Sequence, residues 1–79
     1  MDKEYCMKQV GVCDKGIRYN LSEIEKAKSR LIAASEPKTI DIIVEDIVRM
    51  ARRIASWEKM RKNWLDLAHQ QQANRQESK

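Results

Sequence analysis

The sequence predicts a mainly α protein. A short helix and a long helix fold back as an antiparallel hairpin, preceded by an N-terminal arm or small β-hairpin, and the whole assembles as a dimeric helical bundle. Residues 39–72 contain no Gly and no Pro and carry apolar side chains at helical spacing. Residues 22–35 repeat that spacing over a shorter run and stop at Ser35-Glu36-Pro37-Lys38, because Pro37 disfavours helical geometry at the residue before it. Phe is absent, and only Trp57, Trp64, Tyr5 and Tyr19 are aromatic, a thin supply of large side chains. A chain of this size buries only about 60% of its unfolded surface, so the composition favours an oligomer or a partner-bound form.

The long helix comes first because most of the information lies on its faces. Ile40, Ile43, Ile47, Met50, Ile54 and Trp57 step by threes and fours, and Trp64 follows a heptad later, the rhythm of a coiled-coil seam. Val44, Ala51 and Leu65 widen the stripe, as expected of a helix set into a core. Glu58 and Arg61 then fall where apolar residues would continue. Trp57, Met60, Trp64 and Leu67 form a second stripe turned about 90° round the axis. The two halves of the helix are therefore expected to face different things. Thr39 is placed to cap the helix, and Asp41, Glu45 and Asp46 stand near its positive dipole end.

Ser22 and Glu25 have the spacing of a capping box, and Leu21, Ile24, Ala27, Leu31 and Ala34 follow at helical intervals. Residues 1–21 have no clean period. Asp14-Lys15-Gly16 is a turn signal between Val10 and Val12 on one side and Ile17, Tyr19 and Leu21 on the other, which suggests two short strands; a helix over residues 2–9 stopped by Gly11 is the rival. The chain thus divides into an arm or hairpin at 1–21, a helical hairpin at 22–72 and a disordered tail at 73–79.

Length connects these elements to function. A helix over 22–35 spans about 21 Å and one over 40–72 about 50 Å. The first can cover the second only to about Ile54, which leaves the two Trp and their neighbours to the arm or to another chain. A second copy is the expected cover, since symmetric dimers are the commonest oligomers. Under this reading Trp57, Met60, Arg61, Trp64 and Leu67 make a partner-binding stripe, with the Trp side chains as anchors.

Charge supplies the alternative. The net charge of +4 is concentrated in Arg49, Arg52, Arg53, Lys59, Arg61 and Lys62, against Glu58 alone in that stretch. Arg49, Arg52, Arg53, Ser56, Lys59 and Asn63 share one face, which is either a solvated helix surface or a basic strip for nucleic acid. The nucleic-acid reading uses Arg49, Arg52, Arg53, Lys59 and Lys62, with no recognised DNA-binding motif beside them.

Catalytic chemistry has no signature here. His69 is the sole His and lacks an orienting partner; Cys6 and Cys13 lack a second pair or a base, so neither a catalytic residue, a metal site nor a cofactor is expected. No apolar run approaches the ~18 residues of a membrane span, and Met-Asp-Lys-Glu-Tyr opens no apolar leader segment. Two cysteines are too few for a disulfide scaffold, which makes the cytoplasm the expected compartment. The sequence therefore points to a non-enzymatic regulatory or accessory protein that binds itself and a protein partner. Its size and basic balance are common among such proteins of bacteria, plasmids and phages.

Overall fold

The computed structural model describes residues 2–77, with side chains described from Asp2 to Gln71. It consists of two α-helices, α1 (Lys3–Ala33) and α2 (Pro37–Glu77), packed against each other as an antiparallel hairpin 66 Å long and 14 Å across. The described residues contain no strand.

The helical hairpin is therefore present, but its first arm is twice the expected length. Residues 3–21 are neither an irregular arm nor a β-hairpin; they are the first two thirds of α1. Asp2 caps the helix, its carboxylate accepting a hydrogen bond from the Tyr5 N–H at 2.7 Å. A continuous row of inward positions then drives the helix forward. Cys6, Val10, Cys13, Asn20 and Ala27 are buried, and Ile17, Ile24 and Leu31 are half-buried between them, all at steps of three and four. A strand would have set Val10 and Val12 on one face. The helix turns them about 200° apart, so that Val10 is buried while Val12, Tyr19 and Leu21 look outward. Gly11 and Gly16 each cost the helix roughly 1 kcal/mol relative to Ala, and burial along the seam outweighs that. The capping pattern at Ser22 is unused because the helix runs through it; Glu25 pairs instead with Lys28 on the exposed face, at 3.4 Å.

The connection is three residues long. The Ala34 N–H donates back to the Leu31 carbonyl at 3.2 Å, and Pro37 opens α2 two residues before the expected Thr39. Pro suits a first helical position, where its missing N–H has no partner to lose. The first turn of α2 holds no acidic residue, so Asp41, Glu45 and Asp46 lie beyond the dipole's strongest reach; Asp46 pairs with Arg49. At the other end α2 continues to Glu77, past the expected end at 72, and residues 78 and 79 of the expected tail lie outside the described residues.

The core follows the seam. In the half nearest the connection, Ala27, Ile43 and Met50 form a buried cluster flanked by Ile24, Leu31, Ala34 and Ile47. The small Ala27 lets the larger Ile43 and Met50 approach α1 closely. In the open half, Cys6, Val10, Cys13 and Ala68 are buried. Cys6 and Cys13 are free thiols about 10 Å apart along one helix, beyond the Cα separation of about 7 Å that a disulfide tolerates.

Candidate interaction surface

The open half holds every residue that the sequence proposes for partner binding, and α1 reaches all of that half. Its 31 residues span about 47 Å, enough to run alongside the two Trp side chains. The expectation that these are left for another chain is thereby corrected: the N-terminal segment covers them.

Trp64 meets the Tyr5 ring edge-on, with centroids 5.7 Å apart and planes at 77°. Such a pair adds about 0.5–1.5 kcal/mol to simple burial. Trp57 lies over Gly16. A Cβ built on Gly16 would stand 2.7 Å from both Cδ2 and Nε1 of that ring, and closer still to Cε2. Gly16 is thus a notch for an indole and not the turn residue that the sequence suggests. Arg61 donates from Nε to the Asp14 carboxylate at 2.7 Å. It stands on the seam as a half-buried charge matched from the opposite helix. The seam passes through this charged layer and on to Trp64, Ala68 and Gln71, so both halves of α2 face the same neighbour. Six residues along α1 from Asp14, Asn20 is buried with its amide donating to the Gly16 carbonyl at 2.7 Å, which satisfies a polar group within the seam. Burial pushes the Cys13 thiol above its ordinary pKa, aided by the Asp14 carboxylate and opposed by the Arg61 guanidinium.

Two members of the expected stripe remain available. Met60 is exposed and Leu67 half-buried, one heptad apart on the flank of the seam. Tyr19 and Arg53 line one groove of about 260 Å³ on that flank. Tyr5 and Val12 continue the row of Tyr19, and Met60 and Leu67 continue the row of Arg53, each at seven-residue intervals. These four therefore share one side of the open half, backed by the half-buried Trp57 and Trp64. The sequence missed Tyr5 and Val12, because their seven-residue spacing acquires meaning only once residues 3–21 are helical.

The basic strip is also on the surface. Arg49 is engaged by Asp46. Arg52, Arg53, Lys59 and Lys62 are exposed, and among the described residues none of the four makes an ion pair. His69 is exposed near the end of the described side chains. Among the described residues no three His, Cys, Asp or Glu side chains group so as to hold a metal ion, and no helix is long and apolar enough to cross a membrane. No protein-family model, curated protein or solved structure matches the chain.

Proposed function

We propose that this is a small non-enzymatic interaction protein that works as a homodimer and engages a protein partner on the flank of its open half. The contact is made by Met60 and Leu67 with Tyr5 and Val12, and the edges of Trp57 and Trp64 lie behind them. The observation that carries this reading is the exposure of Tyr5, Val12 and Met60 on one flank of a hairpin whose own seam is already filled. Large apolar side chains grouped beside half-exposed Trp are typical anchors of a partner surface. Trp57, Arg61 and Trp64 act here by stiffening that surface.

A photo-crosslinking residue placed at position 60 or 67 in host cells tests the reading, with position 38 as control. Adducts whose masses are not multiples of the chain's own, formed from 60 and 67 alone and lost in Tyr5→Glu, are expected. Adducts at multiples of the chain's own mass, and at no other mass, would remove the separate partner.

The four unpaired cations favour a second reading, in which Arg52, Arg53, Lys59 and Lys62, with Arg49 at the edge, bind nucleic acid. Four phosphate contacts would give a steep loss of affinity with salt. Duplex binding with that dependence, abolished by Arg52→Glu with Arg53→Glu, would establish it; salt-independent or absent binding would discard it.

A further inference from the structure

The proposed homodimer needs a surface, and the flank opposite Met60 offers one; an interface there rests on the proposed function. Val44, Val48, Ala51 and Ala55 succeed one another at steps of four, three and four, so they line one side of α2 beside the seam. All four are exposed, with Val44 at 43% and Val48 at 42%. Glu45 and Arg52 border this stripe two turns apart, lining a shallow groove with Val44 and Val48. Among the described residues neither makes an ion pair.

Charge fixes the orientation. A parallel second copy would carry the two Glu45 side chains to opposite edges of the stripe, and likewise the two Arg52, so neither charge would meet an opposite one across it. An antiparallel copy, with its two-fold axis between Val48 and Ala51, sets Glu45 against Arg52 of the second copy in both directions. The same axis places Val48 against Ala51 and Val44 against Ala55, larger against smaller, so the helices can approach closely. We infer that two copies pair antiparallel through this stripe of α2, with reciprocal Glu45–Arg52 contacts at its border. The flank carrying Met60 and Leu67 then stays free on both copies.

The test is dilution-series light scattering of the full chain and four variants. The wild type is expected to be a dimer. Glu45→Arg and Arg52→Glu should each weaken it by about fivefold or more, through two like-charge contacts per dimer. The double variant, with the charges exchanged, should return to near wild-type affinity. Val48→Glu should yield monomer with its helical circular dichroism retained, since the side chain is outside the seam. A dimer indifferent to all four changes would keep the homodimer and overturn this interface. A wild-type chain that is monomeric throughout the series would overturn both, whether or not it binds DNA.

Discussion

The two glycines of α1 share a residue type and differ in role. A Cβ at Gly16 collides with the Trp57 ring, whereas one at Gly11 meets nothing within 4 Å. Gly16→Ala should therefore cost about 1–3 kcal/mol, the usual penalty of overfilling a fitted contact. Gly11→Ala should add about 0.4–1 kcal/mol, since it removes unfolded-state freedom at no steric cost. Urea midpoints of the two variants should move in opposite directions at unchanged slope; a shared direction would refute the notch. Cys13 supplies a pH signature at the same scale. Its thiol is held above its ordinary pKa by burial, so the folded chain keeps the proton longer than the unfolded one. That contribution is complete below the unfolded thiol's pKa of about 8.5 and is lost as pH rises through the folded value. Stability should thus fall above about pH 8.5 more steeply in the wild type than in Cys13→Ala, read from urea midpoints at pH 7 and pH 9.5.

At the scale of the element, the start of α1 is the vulnerable point, because the cover of Trp64 depends on it. Asp2 caps the helix and Tyr5, three residues on, touches Trp64. Asp2→Ala should cost about 0.5–2 kcal/mol of helix stability. It should also reduce the near-ultraviolet circular dichroism of the aromatic pair before any large loss of overall helicity; an unchanged aromatic signal would show that the cap does not position Tyr5. The same dependence on α1 decides what is legible in the sequence. The long helix is legible because Ile40, Ile43, Ile47 and Met50 make an unbroken apolar rhythm. The first half of α1 is not, because its inward row is Cys6, Val10, Cys13 and Asn20, small or polar residues that an apolar count passes over. Two glycines and the chance alternation of Val10, Val12, Ile17, Tyr19 and Leu21 then imitate a hairpin. The error passes to the candidate site. With α1 too short, Trp57 and Trp64 look uncovered and Arg61 looks misplaced on its stripe. With α1 at full length they become seam contacts to Gly16, Tyr5 and Asp14, and only Met60 and Leu67 stay on the flank.

For the whole molecule the central issue is how two helices stay folded with so little inside. Among the described residues the buried apolar side chains are few and mostly small: Cys6, Val10, Cys13 and Ala27 on α1, with Ile43, Met50 and Ala68 on α2. Ile32, Ile42 and Tyr19 are exposed in addition to both flanks already described. A hairpin of this kind has a single seam, so each helix buries one stripe and leaves the rest of its circumference in water. Stability borrowed from a second copy would show in the melting temperature, since dissociation then accompanies unfolding. Raising the chain concentration tenfold is worth about 1.4 kcal/mol per dimer. Set against roughly 2.1 cal/mol/K of unfolding entropy per residue over two chains, that predicts a rise of about 4 °C. Scanning calorimetry across two decades of concentration measures it directly. A rise near that value for each decade in the wild type, absent in Val48→Glu, would place the missing stabilisation on the outer stripe of α2. A melting temperature independent of concentration would mean that the single seam, with its Tyr5–Trp64 contact and its Asp14–Arg61 pair, holds the hairpin alone.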